Sequence, residues 1–175
     1  YRVKMSKAAE ILRAVQYAAV KHAGQMSEYD PQAPFINHPI AMANMMAAAG
    51  LDDVELVQAT LVHDVVEHTS TLMDDIRLEF GDEVARIVQE VTVLEEDAAD
   101  RMKKMEALGS NISDKAKLVR LCDVISHLEE VEEGKIPPWT TKPAYLATAV
   151  KIVNECRGIN AKLEDRADLI FARNQ

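Results

Sequence analysis

The chain has 175 residues, and this length predicts a single domain. Apolar residues make up 48 % of it, enough for a substantial core, which argues against a disordered chain. The net charge of −9 argues against a general DNA or RNA binder, because affinity for a phosphate backbone depends on clustered lysine and arginine.

Apolar residues recur at helical spacing along the chain, as Ala8, Ile11 and Val15 do near its start. In chain order, the predicted helices cover residues 5–23, 39–49, 52–68, 72–80, 82–94, 96–108 and 114–133, and a last segment from 143 that breaks at Gly158. Alternating, strand-like runs are missing from the sequence. We therefore predict one all-α domain over residues 1–175, a bundle of about seven to nine helices.

Two cysteines, Cys122 and Cys156, form no CxxC motif and suggest no disulfide framework. No apolar run approaches the roughly 18–20 residues of a membrane span, and no secretory signal pattern opens the chain. These features predict a cytoplasmic protein without a membrane partner.

Two further features of the chain are not part of this argument. Residues 1–4 precede Met5, and Met5 is an alternative first residue of the native protein. The acidic runs at 95–97 and 129–133 are predicted to be solvated faces.

The segment from Leu61 to Thr69 places titratable residues within an apolar helical pattern. His63 and Glu67 are four residues apart and share a helix face, and Asp64 and His68 repeat that spacing one position later. Burial of an ionised aspartate among apolar residues is costly unless it is paired or bound to a metal. A helix end that simply meets solvent is the alternative interpretation.

Further histidines and aspartates favour the metal interpretation. His38 follows a proline-containing loop, and Asp123 lies in another apolar helix with His127 on the same face. Together, His38, His63, Asp64 and Asp123 form a set of two histidines and two aspartates. Imidazole and carboxylate donors without a thiolate favour Mn²⁺, Fe²⁺, Mg²⁺ or Zn²⁺.

With these residues in view, the chain resembles HD-domain phosphohydrolases, and more closely the hydrolase domain of the RelA/SpoT superfamily, of the small alarmone hydrolase type that includes metazoan SpoT homologues. The matching stretches run in the family's order over nearly the whole chain: 19–25, 34–40, 61–67, 80–81, 90–92 and 116–123. The resemblance implies that His38, His63, Asp64 and Asp123 bind the metal, with Mn²⁺ the usual ion. It implies that Glu67 orients or deprotonates the attacking water. The implied reaction removes the 3′-pyrophosphate from guanosine tetra- or pentaphosphate (ppGpp or pppGpp), and metazoan members are also described as NADPH phosphatases.

The sequence departs from the family pattern at positions that face the substrate. His68 stands where the family usually has aspartate, Val124 and His127 replace a lysine and an asparagine, and Met26, Ser27 and Glu28 follow Gln25 in place of arginine and lysine. His68 and His127 are therefore candidate catalytic groups, with a solvated helix end and a structural role as the alternatives. The candidate substrate contacts are Lys21, Gln25, Ser27, Lys117 and Arg120.

Three functions remain open from the sequence. The first is an Mn²⁺-dependent hydrolase of ppGpp or a related nucleotide. The second is a metal-dependent phosphatase acting on NADPH or another nucleotide, which the loss of positive charge after Gln25 favours. The third is a nucleotide-binding module that binds the metal but does not turn over a substrate. The histidines at positions 68 and 127, which replace the usual residues of the family, favour this function, whereas the presence of Glu67 argues against it. The sequence does not determine the oligomeric state, and a homo-oligomer is compatible with it.

Overall fold

The structure of the chain, a computed structural model, describes residues 5–93 and 111–174, with Lys103 and Glu106 between them. These residues form nine helices, which we number in chain order: α1 (Lys7–Lys21), α2 (Asn37–Ala48), α3 (Val54–Val62), α4 (Val65–His68), α5 (Met73–Phe80), α6 (Asp82–Val91), α7 (Asp114–Glu132), α8 (Lys142–Glu155) and α9 (Ala161–Arg173). The described ranges contain no strand, only one isolated bridge between Met26 and Pro34. The all-α prediction is confirmed.

The predicted helix over 52–68 is wrong as one continuous element. The chain leaves helix α3 at His63 and Asp64 and resumes as the short helix α4. The imidazole Nδ1 of His63 lies 2.8 Å from the carbonyl oxygen of Thr60, so the side chain bonds to its own preceding turn. The break near Gly158 is confirmed by the separation of α8 from α9, whereas the helix predicted over 96–108 lies, except for Lys103 and Glu106, outside the described residues.

Side-chain caps fix where several helices begin. The side chains of Ser6, Asp53, Ser113, Thr141 and Asn160 each accept a hydrogen bond from a backbone N–H in the first turn of the following helix. Such caps satisfy donors that have no partner within the helix. Ser113 sets the first residue of α7, the helix whose interior face carries Asp123 and His127.

Helix α3 lies at the centre of the fold and packs against α1, α2, α6 and α7. Its residues from Leu56 to Val62 are all buried, as the near-continuous apolar pattern requires. Helix α7 packs in turn against α2, α6, α8 and α9. The C-terminal end of α3, the first turn of α2 and the middle of α7 therefore meet inside the bundle. In the part of the chain that is described, no helix has the length and apolar character needed to cross a membrane.

Candidate metal centre and cavity

The four predicted ligands converge from helices α2 and α7 and from the turn between α3 and α4. His38 Nε2 lies 3.1 Å from Asp123 Oδ1 and 3.8 Å from Asp64 Oδ2. His63 Nε2 lies 3.1 Å from the same Asp64 oxygen. Residues separated by up to 85 positions in sequence are thus within a few ångströms of each other. The structure brings together the two histidines and two aspartates that the sequence pattern singled out.

His63 presents one nitrogen to this cluster. Its Nδ1–H donates to the Thr60 carbonyl, which leaves Nε2 directed toward Asp64. Nε2 is buried, and the Asp64 carboxylate 3.1 Å away is its charged partner. Burial alone would lower the pKa of His63, but the Asp64 carboxylate raises it to about 9. Burial acts in the opposite direction on Asp64, yet His63 holds the pKa of that carboxyl well below its usual range.

His127 lies between the rings of two other residues. Its imidazole stacks on His38 with ring centroids 4.1 Å apart and on Tyr29 at the same separation. Its Nε2 lies 3.2 Å from Asp123 Oδ1, and its Nδ1 lies 2.9 Å from Glu130 Oε2. Burial would lower the pKa of His127, but the two carboxylates raise it to about 9. Both ring nitrogens therefore face carboxylates.

The pKa values of the two residues beside His127 are shifted downward. Burial, followed by the positive charge on His127, lowers the pKa of His38. Burial would raise the pKa of Asp123, but hydrogen bonds from His127 and His38 hold it well below its usual range. The site thus holds ionised aspartates beside imidazoles, and His63 would release its proton when a metal ion binds.

The donor set fits a divalent ion. One donor atom each from His38, His63 and Asp123 lies within 4.8 Å of the others. Metal–ligand bonds of about 2.0–2.2 Å place neighbouring donors roughly 3–4 Å apart, close to the separations seen here. The buried Nε2 atom of His63 faces Asp64 at 3.1 Å, and it would become a ligand when an ion replaces its proton.

Glu67 and His68 extend this cluster along α4. Glu67 Oε2 accepts a hydrogen bond from the backbone N–H of Val93 at 3.2 Å, and its other oxygen, Oε1, lies 3.9 Å from His68 Nε2. His68 Nε2 also lies 3.8 Å from Asp64 Oδ1. The side chain of His68 is 24 % exposed, so it belongs to the site and not to a fully solvated helix end.

Gln25 connects the first helix to the site. Its amide nitrogen donates to the carbonyl oxygen of His68 at 2.8 Å, and its amide oxygen lies 2.8 Å from His22 Nδ1. Because the amide oxygen can only accept, His22 carries its proton on Nδ1. The ring of Phe35 packs between His22 and His68, with centroid separations of 4.6 and 5.2 Å. His22 is thus linked to the site through Gln25.

A cavity of about 320 Å³ opens over these groups. Of the candidate substrate contacts, Gln25, Ser27 and Arg120 line it. Lys21 and Lys117 do not line it; the Lys21 ammonium lies instead 5.3 Å from the ring centroid of Tyr17. The structure therefore separates the five candidates into three that face the cavity and two that do not.

Arg120 is the cation in the cavity wall. It is 5 % exposed, and its Nε and Nη2 are buried without hydrogen-bond partners among the described residues. Burial lowers the pKa of its guanidinium, and Asp123 opposes that shift. A buried guanidinium with unused donors is suited to bind an anion.

Two residues of the site were missed from the sequence. Ser126 Oγ lies 3.2 Å from His38 Nδ1, and Glu130 holds His127 as described above. The prediction of a solvated acidic face over 129–133 is wrong at Glu130, while Glu129 and Glu132 pair with Arg166 and Arg173. The spacing of three and seven residues from His127 and Asp123 was the available clue, since it puts Glu130 on their helix face. The acidic run at 95–97 lies outside the described residues.

Comparisons with known proteins agree with this geometry. A family model described as the HD domain matches residues 14–168. Guanosine-3′,5′-bis(diphosphate) 3′-pyrophosphohydrolase MESH1 from Xenopus tropicalis is 36 % identical over 172 residues, and the human protein of that name is 35 % identical over 172 residues. Each alignment covers 95 % of both chains. A solved structure, described as a metazoan ortholog of SpoT that hydrolyzes ppGpp, superposes with a TM-score of 0.88 at 32 % identity and covers 98 % of each chain. The chain belongs to the HD-domain family, and membership of this family implies a divalent metal, for which the described residues offer candidate groups of histidine, aspartate and glutamate.

Proposed function

We propose that this protein is a divalent-metal-dependent nucleotide phosphohydrolase that removes the 3′-pyrophosphate from ppGpp or pppGpp, with Mn²⁺ as its ion. The observation that carries the proposal is the convergence of His38, His63, Asp64 and Asp123 at the base of a cavity. The relatives that are named for this reaction align over nearly the full chain. The donors are nitrogen and oxygen, which suit Mn²⁺ better than a soft metal.

The chemistry follows from the residues around the ion site. A divalent ion supplies a water of lowered pKa and neutralises charge on phosphoryl oxygens. Glu67 would accept the proton of that water, since its carboxylate lies beside Asp64 and His68 while its Oε2 is held by the Val93 N–H. The water oxygen forms a bond to phosphorus as the bond from that phosphorus to the ribose 3′-oxygen breaks, which releases pyrophosphate, and the 3′-oxygen takes up a proton to become the hydroxyl of the nucleotide product.

His127 is proposed as a positioning residue, and not as the catalytic group that its sequence position suggested. Both of its nitrogens face carboxylates, and both faces of its ring are covered, by Tyr29 and His38. A hydrogen bond from an outer residue fixes how a ligating carboxylate points. His127 would hold Asp123 in this way, and Glu130 would hold His127.

Substrate binding is proposed to depend on Arg120. Among the described residues that line the cavity, it is the one lysine or arginine side chain. Ser27 also lines the cavity, but its Oγ accepts hydrogen bonds from the backbone N–H groups of Tyr29 and Asp30 and so shapes the loop. Gln25 uses both ends of its amide within the protein.

A second candidate function is a phosphatase that acts on a less highly charged nucleotide, such as NADPH or a nucleoside monophosphate. The observation that favours it is the composition of the cavity rim, where Met26, Ser27 and Glu28 follow Gln25. A substrate with two pyrophosphate groups needs more positive charge than Arg120 alone supplies. A binding module without turnover is less favoured, because Glu67 keeps its place beside Asp64.

The test is a substrate panel. Purified protein, freed of metal and reloaded with Mn²⁺, Mg²⁺, Fe²⁺ or Zn²⁺, is incubated with ppGpp, pppGpp, NADPH and nucleoside monophosphates, and both binding and product release are measured. Release of pyrophosphate from ppGpp with Mn²⁺, abolished in Asp123→Ala, is the expected result. Turnover of NADPH alone would establish the second function, and binding without any turnover would establish the third.

A further inference from the structure

Two loops meet at the rim of the cavity. Glu28 lies on the loop between α1 and α2, and Trp139 lies on the loop between α7 and α8. The indole Nε1–H of Trp139 donates to Glu28 Oε2 at 2.9 Å. Lys135 Nζ lies 3.4 Å from Asp30 Oδ2 and joins the same two loops. Glu28 and Trp139 line the cavity, whereas Asp30 does not, so the Glu28 carboxylate is the acidic group that this loop presents to a ligand.

The loop that carries Glu28 is held by its own hydrogen bonds. Ser27 Oγ accepts from the backbone N–H groups of Tyr29 and Asp30, at 3.1 and 3.2 Å. The backbone N–H of Ser27 donates to the carbonyl oxygen of Ala33 at 2.9 Å and closes the loop. Glu28 is therefore positioned before any ligand enters, which reduces the entropy that its ordering would cost on binding.

Stacked rings connect this rim to the metal centre. The Tyr29 ring lies edge-on to Trp139, with centroids 6.3 Å apart, and stacks on His127 at 4.1 Å. His127 stacks in turn on His38, one of the proposed metal ligands. Two rings thus separate Trp139 from the metal site. A nucleotide whose phosphates meet the ion can therefore place its base at the rim, beside Glu28.

A carboxylate distinguishes the two purine bases by their Watson–Crick edges. Its oxygens only accept hydrogen bonds, and they have about four acceptor positions, of which the indole N–H takes one. Guanine has two adjacent donors on this edge, N1–H and the 2-amino group, and both can donate to a carboxylate. Adenine has a donor beside an acceptor, and the lone pair of that acceptor is repelled by a carboxylate oxygen. A carboxylate at the rim therefore favours guanine.

We propose that Glu28 determines the base specificity of the cavity by accepting hydrogen bonds from the N1–H and 2-amino groups of guanine, with Trp139 holding the carboxylate in position. The inference rests on the proposed function, in which the cavity binds a nucleotide, and it deepens that function by naming the residue that selects guanine. It also explains why a negative charge is present at the entrance of a site for phosphorylated ligands.

Repulsion of highly charged ligands is the simpler role for Glu28. Repulsion depends on the phosphates, so it acts equally on guanine and adenine nucleotides that carry the same phosphates. Recognition of the base strengthens the binding of one of them and weakens that of the other. The ratio of the two affinities therefore separates the two roles.

The test compares GDP with ADP, which differ only in their base and lack the 3′-pyrophosphate that the proposed reaction removes. Their binding to the Mn²⁺-loaded protein is measured by isothermal titration calorimetry in the parent, in Glu28→Gln and in the control Asp30→Asn. Glu28→Gln replaces one acceptor by a donor, which is the pattern that pairs with adenine. The control removes one negative charge from the same loop outside the cavity. The fluorescence of Trp139, the single tryptophan of the chain, reports contact at the rim.

We expect the parent to bind GDP about tenfold more tightly than ADP, with quenching of Trp139 fluorescence. Glu28→Gln should abolish this preference by weakening GDP and strengthening ADP, whereas Asp30→Asn should leave the ratio unchanged. Equal affinities in the parent, a ratio that Glu28→Gln does not alter, or the same loss of preference in Asp30→Asn would overturn the proposal. So would the absence of binding by both nucleotides, or binding of GDP without quenching.

These outcomes are independent of turnover. A guanine preference that depends on Glu28, combined with no hydrolysis of ppGpp in the substrate panel, would reject the proposed function and leave the role of Glu28 standing. Hydrolysis of ppGpp by a protein that binds GDP and ADP equally would reject the role of Glu28 alone.

Discussion

Replacing Gln25 with alanine distinguishes two roles for this residue. The sequence pattern suggests a substrate contact, whereas in the structure its amide joins His22 Nδ1 to the carbonyl oxygen of His68 through two hydrogen bonds of 2.8 Å. Gln25→Ala removes both bonds. A buried donor left without a partner costs about 1–3 kcal/mol, and the partly solvated carbonyl adds about 1 kcal/mol, so we expect a loss of about 2–4 kcal/mol.

Thermal unfolding measures this loss directly. For a domain of this size, each kcal/mol lowers Tm by about 2–4 °C, so Tm should fall by roughly 4–16 °C. Since α4 carries Glu67 and His68, kcat should fall together with Tm, whereas KM should change little. The same substitution at the exposed Gln32 serves as a control and should leave Tm unchanged. An unaltered Tm combined with a raised KM would refute the structural role and support a substrate contact.

Three further predictions concern the cavity. Glu67→Gln can still accept from the Val93 N–H but cannot take up a proton, so kcat should fall by about 10²–10⁴-fold; a parental rate in stopped-flow or steady-state assays would contradict its role. Arg120→Gln should raise KM for the nucleotide by about 10–100-fold, because a hydrogen bond to a charged group contributes about 1.5–3 kcal/mol, while Lys21→Gln should leave KM unchanged. The metal-free protein should lose stability as the pH rises from about 6.5 to about 9. The pKa values of His63 and His127 are raised to about 9 by their carboxylate partners, so their ion pairs contribute fully below the unfolded pKa and are lost as the pH passes the folded one. Tm measured in chelator across this range checks the decline, and a Tm that rises instead would show that these imidazoles are not charged in the fold.

Local patterns explain why much of the fold was predictable. Helical periodicity and capping residues depend on neighbours three and four positions away, and these located α1, α5, α6 and α7 to within a few residues. Local sequence patterns also identified His63, Asp64 and Asp123 as polar residues within apolar segments, where burial without a partner or a metal is costly. What this reasoning could not detect was the interruption at His63 and Asp64, since a helix and a tight turn share the same apolar spacing.

Which side chains reach the cavity was settled only by how the helices pack. The bond from Gln25 to His68 spans 43 positions and the contact from His38 to Ser126 spans 88, and neither leaves a periodic trace in the sequence. Helix packing likewise leaves Arg120 in the cavity wall and Lys21 outside it, although both are basic residues near predicted site motifs. The sequence determined which residue types were available for metal chemistry, because their cost of burial is a local property. The tertiary structure decided which of them share partners, because a hydrogen bond or a metal ligand requires a position accurate to a fraction of an ångström.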